Sequence, residues 1–211
     1  HEHDAIAQRI VDANPHVIIH LGVWEPDARL SSHDAQMHTQ AFAHAVFEAA
    51  LRVPALESVV LRSGIEVYGK NGHSPLVPNE HQSLEPQSLF GHMLLGLEHK
   101  VSELAIARGT TATLLRLAPV VGPHVPSPLG RMLRLPAVPF NPIGSARFSV
   151  IEDGDAAQAF VSATQHQPHG AVNVVAEGSI SIAQAAAVGH RLAIPTIGPG
   201  WWAAKSLAKI A

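Results

Sequence analysis

The 211-residue chain contains no cysteine. That removes disulfides, thiolate nucleophiles and thiolate metal sites together, and it suits a cytoplasmic protein. Tyrosine occurs once, as Tyr68, so chemistry that needs a phenol has a single residue to draw on. Charge is scarce as well, at 15% of residues, and the formal net charge of -3 gives no basic surface for nucleic acid. No uncharged apolar run reaches the roughly 18 residues of a membrane span. Glu2 and Asp4 stand where a signal peptide carries its basic region. There is no H-E-x-x-H motif, no acidic cluster, and no convergent spacing in the pairs His33/His38 and His92/His99, so no metal site is expected. A G-x-S-x-G nucleophile elbow is absent too, which argues against serine hydrolysis. Internal repeats and low-complexity linkers are missing.

What is present is a globular composition, 46% hydrophobic, with room for one or two apolar cores. A short helix is expected over Asp4–Ala13, ended by Asn14-Pro15. His16–Leu21 reads as a continuous β-branched strand of the kind covered on both faces in a parallel sheet. A loop over Gly22–Asp27 and a long helix over Asp34–Leu51 follow. Ser58–Arg62 and Thr111–Leu117 are the next strands, with a helix over Gln87–Arg108 between them and Gly109 placed as its left-handed cap. Pro119–Pro142 reads as irregular backbone around a helical piece at Leu129–Leu135. Beyond it, Arg147–Ile151 is a short strand, Asp155–Gln165 a helix and Ala171–Val175 a strand. Ser181 and Gln184 form a capping box for a helix to about Leu192. Trp201–Ala211 is a last amphipathic helix, docked on the protein body or, alternatively, against a membrane surface. Strands and helices at this spacing predict βαβ units and a parallel sheet. The domain reading is 1–118 for the sheet and 119–211 for a mixed region that partly returns to it. Both ends look cut, and His1 with His3 looks like a tag remnant.

Several stretches lie in an order that is similar to one family. VIIHLG (Val17–Gly22) resembles its strand beside the cofactor. LRSGIEVYG (Leu61–Gly69) resembles its strand and turn with the catalytic serine or threonine, and EPQSLFGHML (Glu85–Leu94) its Tyr-x-x-x-Lys segment. LRLAPVVGP (Leu115–Pro123), FSVIEDGDAAQAF (Phe148–Phe160) and GAVNVV (Gly170–Val175) resemble later landmarks. The family is the extended short-chain dehydrogenase/reductases, meaning NAD-dependent epimerases and dehydratases. The resemblance implies an α/β, Rossmann-like, doubly wound parallel sheet with a small C-terminal substrate-type region. The family's first β-α unit, with its glycine-rich phosphate loop, is expected upstream of His1.

The resemblance also implies a site, and the residues depart from it. The serine position falls on Gly64, the tyrosine on Phe90 and the lysine on Leu94. Phenylalanine has no proton to exchange and leucine no charge to lower a neighbouring pKa. Ser63, Tyr68 and His92 are the nearby candidates for catalysis. Leu21, Gly22, Arg116 and Pro119 are the candidate cofactor-binding residues, for NAD or NADP. Arg116, a charge inside an apolar strand, calls either for an acidic core partner such as Asp155 or for a bound nucleotide. Asp155 itself reads as a helix cap, and Glu152 with Asp153 as a solvated turn. The expected function is nucleotide or small-molecule binding by an atypical family member whose Tyr-Lys catalysis is lost. The alternative is an NAD(P)-dependent oxidoreductase or nucleotide-sugar epimerase/dehydratase with non-standard acid-base groups. A homodimer through helices 34–51 and 87–108 is the expected assembly.

Overall fold

The structure, a computed structural model, describes residues 2–24, 30–69, 78–125, 127–142 and 147–196. The end of the 22–27 loop and the expected helix 201–211 lie outside the described residues. In chain order the elements are α1 (Glu2–Ala13), β1 (Val17–His20), α2 (Ser32–Ala50), β2 (Ser58–Gly64), a 3-10 turn (Ile65–Tyr68), α3 (Leu89–Arg108) and β3 (Thr111–Leu117). There follow β4 (Val120–Val121), α4 (Pro128–Arg134), β5 (Ala137–Phe140), β6 (Ile151–Glu152), α5 (Asp153–His166), β7 (Gly170–Val174), α6 (Ile182–Val188) and β8 (Leu192–Pro195).

The chain divides into two compact units, the first made of His1–Leu117 and Ala157–Val174. Its sheet has the order β1-β2-β3-β7 and every pairing is parallel. Register runs straight across, with Val17 beside Ser58 and Ser58 beside Thr111. Side chains alternate between faces. Ile18, Val59, Leu61, Ala112 and Leu114 are drawn into one buried cluster with Ala43, Val46 and Phe47 of α2 and Leu97, Val101 and Leu104 of α3. Leu115, Val172 and Val174 instead line a hollow of about 140 Å³ with Ala159, Ala163 and His166 of α5. This is a Rossmann-like α/β sheet with flanking helices.

The caps explain the helix limits. Ser31 and Ser88 each accept a hydrogen bond from the third backbone N–H of α2 and α3, and Gly109 ends α3 in the left-handed region at φ 66°. One expectation needs correction. β1 is the sheet edge, and it is covered on one face only among the described residues, since His20 is buried while Ile19 is 43% and Leu21 57% exposed.

The second unit comprises Ala118–Ala156 and Val175–Ala211. The proline-rich stretch is more regular than expected, because β4 pairs with β6 and β5 with β8, both parallel. The expected strand 147–151 is reduced to a bridge between Phe148 and Ile180 and the start of β6. Ser181 and Gln184 do form a capping box, yet α6 stops at Val188. His190 lies at φ 54°, which breaks the helix and frees Leu192 to begin β8. Asp155 is exposed within the first turn of α5 and is not its cap. The Glu152 carboxylate accepts from the N–H groups of Gly154 and Asp155 instead. Asp153 is no solvated turn residue either. Its carboxylate accepts from the His124 backbone N–H at 2.8 Å, which holds its pKa below the ordinary value. Among the described residues no helix is long and apolar enough to cross a membrane.

A Cβ added at Gly109 would meet nothing within 4 Å, so Gly109→Ala should lose only conformational freedom. The expected cost is about 1 kcal/mol, read as a lower urea midpoint at unchanged m-value.

Candidate functional site

β2 ends at the carboxyl edge of the sheet, where the chain turns through Ile65–Tyr68 and later enters α3. Here the landmark positions do come together. A Cβ built on Gly64 would lie 3.2 Å from the Leu94 Cδ1 atom. Leu94 is fully buried, in a cluster with Val67, Tyr68 and Met93 against which the half-buried Phe90 packs. The Arg62 guanidinium lies 5.8 Å from the centre of the Phe90 ring. The positions that resemble serine, tyrosine and lysine thus form a contiguous apolar surface.

The sequence reading missed Glu66. Its carboxylate oxygen Oε2 lies closer than 3.0 Å to the Cβ that any residue but glycine would carry at position 64. Glu66 is half-buried, and its backbone is held as tightly as its side chain. The Glu66 carbonyl accepts from the Gly69 N–H and lies 2.7 Å from where a Cβ of Gly91 would be. Two glycines therefore make room for one glutamate. No local motif signals this, because the glycine in the strand reads as a lost serine until its neighbour is seen.

Behind the surface lies a buried polar network. Arg116 donates through Nε and Nη2 to both carboxylate oxygens of Glu98, at 3.0 and 2.7 Å. Its Nη1 donates to the Tyr68 hydroxyl at 2.9 Å, and the guanidinium lies 5.0 Å from the Tyr68 ring centre. Ser63 Oγ donates to Glu98 at 2.6 Å, and Tyr68 donates to Asn173 Oδ1 at 2.7 Å. The Asn173 N–H in turn donates to the Glu80 carboxylate, the leading cause of that carboxyl's pKa lying below its ordinary value. Burial opposes the charge on Arg116, but hydrogen bonding and charge from Glu98, then from Tyr68, outweigh it and raise its pKa. The acidic partner of Arg116 is therefore Glu98 and not Asp155. Glu98 lies on α3 two turns after Phe90, a spacing that places an acid under the sheet and was available in the sequence.

The other candidates scatter. Ser63 is fully buried and Tyr68 is 5% exposed, both engaged in the network. His92 is exposed on the outer side of α3. Leu21 is exposed at the end of β1, and Gly22 lets the Phe42 ring occupy the place a Cβ would take. Pro119, in the second unit, accepts the Ile151 N–H through its carbonyl.

The first unit's fold belongs to the dinucleotide-binding class, a parallel sheet whose carboxyl edge carries the site. Similar solved structures agree on the fold. UDP-glucose 4-epimerase from Thermotoga maritima, with UDP-glucose, aligns at TM-score 0.75 and 17% identity over 93% of this chain and 70% of that one. UDP-glucose 4-epimerase from Thermus thermophilus, complexed with NAD, gives 0.74 and 17% over 94% and 70%. RMD from Pseudomonas aeruginosa, complexed with NADPH, gives 0.73 and 14% over 90% and 73%. A profile of the NAD dependent epimerase/dehydratase family matches residues 1–176, and the chain belongs to that family. The uncharacterized protein Rv0501 of Mycobacterium tuberculosis is 34% identical over 167 residues, which cover 78% of this chain and 44% of that protein. The chain thus spans less than half the length of the curated relatives it matches.

The buried polar groups carry two testable consequences. Arg116→Met strands the Glu98 carboxylate and should cost about 3–5 kcal/mol, whereas Glu98→Leu with Arg116→Met should cost less than the two single losses combined. Urea unfolding of the four proteins in the cycle measures this. His20, 2% exposed and without a hydrogen-bond partner at either ring nitrogen among the described residues, is pushed by burial from 6.5 to about 4. The unfolded chain then binds the extra proton between those values. Stability is therefore full above pH 6.5 and should fall by about 3 kcal/mol as pH drops toward 4. His20→Leu should flatten that limb of the stability-against-pH curve.

Proposed function

We propose that this chain forms part of a nucleotide-binding member of the epimerase/dehydratase family that holds a nucleotide or nucleotide-sugar without the usual tyrosine-lysine proton transfer. The observation that carries the reading is the convergence of Gly64, Phe90 and Leu94 on one apolar surface. Neither Phe90 nor Leu94 has a proton to exchange, and leucine has no donor for a ribose hydroxyl. The residues fit a nicotinamide cofactor only in part. Leu21 and Gly22 offer an apolar wall at the end of β1, while the positions that resemble the proton-transfer pair offer no polar group. NAD or NADP as ligand is supported by the family and by the ligands named for the fold neighbours.

A second reading, an NAD(P)-dependent oxidoreductase or nucleotide-sugar epimerase/dehydratase with non-standard acid-base groups, is favoured by the Glu66 carboxylate beside Gly64. Ser63 and Tyr68 have their hydroxyl protons directed at Glu98 and Asn173, and His92 faces outward. The expected homodimer through α2 and α3 remains part of the proposal, as does a cytoplasmic setting. The outward residues of those helices are mainly polar, with Met37 and Ile106 exposed singly, so such an interface would be polar in character.

The test is calorimetric titration of the full-length protein with NAD+, NADH, NADP+, NADPH and UDP-glucose, followed by a turnover assay. Binding without interconversion of the sugar is the expected result. Turnover that survives in wild type establishes the second reading, and absence of all binding overturns both.

A further inference from the structure

Gly64 and Glu66 are more simply understood together than apart. A serine at position 64 would place its Cβ closer than 3.0 Å to the present position of Glu66 Oε2, an overlap that real Cβ atoms do not show. Loss of the hydroxyl and arrival of the carboxylate are thus one steric exchange. The carboxylate is not swinging on a loose loop. Glu66 sits in the 3-10 turn, its carbonyl bonded to the Gly69 N–H and packed within 2.7 Å of where a Gly91 side chain would begin. A side chain at Gly91 would push the turn away from α3 and move the carboxylate with it.

The surroundings differ from those of a solvated glutamate. Leu94 Cδ1 touches the same point from α3, and Phe90, one turn earlier, borders it beside Arg62. A half-buried carboxylate against leucine and phenylalanine forms stronger hydrogen bonds than one in water. It carries about four lone-pair positions, so a contact within the protein does not exhaust it.

From this geometry we infer that Glu66 is the specificity-determining residue of the site, accepting a hydrogen bond from a ligand hydroxyl at the place where the family resemblance puts a serine. The inference rests on the nucleotide-sugar reading above. A serine hydroxyl both donates and accepts, so it serves alcohol and carbonyl alike. An ionised carboxylate only accepts. The site therefore selects the hydroxyl form of its ligand and disfavours a carbonyl or a fluorine at the same carbon.

The full-length protein, with NAD+ present, is titrated with UDP-glucose and with its 4-deoxy-4-fluoro analogue. Wild type should bind the hydroxyl sugar on the order of tenfold more tightly, the worth of one hydrogen bond to a charged group. Glu66→Gln should lose a similar factor toward UDP-glucose and most of the discrimination. Gly64→Ser, which displaces the carboxylate, should do the same, with thermal melts reporting that each variant is folded. Equal binding of the two sugars by wild type overturns the inference and leaves the nucleotide-sugar reading standing. So does discrimination that persists unchanged in folded Glu66→Gln or Gly64→Ser. If wild type binds neither sugar, the nucleotide-sugar reading fails and the inference falls with it.

Discussion

The bidentate pair between Arg116 and Glu98 is the constraint on which the first unit's arrangement depends. A guanidinium and a carboxylate buried this deeply lose most of their hydration, and their mutual attraction roughly breaks even unless further hydrogen bonds are supplied. Here they are supplied by Ser63 from β2, Tyr68 from the 3-10 turn and, through it, Asn173 from β7. Glu80 binds the Asn173 N–H, while its own carbonyl accepts from Arg116 at 3.4 Å. Strands β2, β3 and β7, helix α3 and the segment before it meet in one set of directional bonds. A register slip of one residue would turn Arg116 to the other face and leave Glu98 unpaired, so the pair specifies the alignment as much as it stabilises it.

That same network explains why the polar groups nearest the expected site do not point into it. Ser63 and Gly64 are adjacent on β2, so their Cβ directions diverge. Ser63 turns toward Glu98, while position 64 opens toward Glu66 and Leu94. Tyr68 lies beyond the turn and folds back over Arg116, where its ring packs on the guanidinium and its hydroxyl is used twice. What borders the site surface is then Phe90, Leu94 and the Glu66 carboxylate. The architecture of a reductase is kept while the groups it presents are exchanged for apolar ones and a single acid.

Much of the fold was legible in the sequence because its signals are local. The β-branched runs at Val17–His20, Ser58–Gly64 and Thr111–Leu117, the serines before α2 and α3, and Gly109 after α3 each act within a few residues. The exposed face of β1 was not legible, since an apolar run does not reveal that its strand is an edge. Nor was the end of α6, where the backbone of His190 overrides a sequence that reads as helix to Leu192. Arg116 announced itself as a buried charge in need of an acid. Asp155 and Glu98 were both available, and only the packing of α3 against β3 selects between them.

The sequence by itself determined the class of fold, the family, and the absence of serine, tyrosine and lysine at the positions where the family resemblance expects them. These follow from residue identity and order, which need no coordinates. Tertiary structure decided what replaced them. Whether Gly64 is an empty place or one filled by Glu66 depends on a contact between atoms two residues apart across a turn. Whether Ser63 and Tyr68 serve a ligand or the core depends on partners 35 and 105 residues distant in the chain. Such choices are made by directional hydrogen bonds and steric exclusion among elements brought together only on folding, and no periodicity along the chain encodes them.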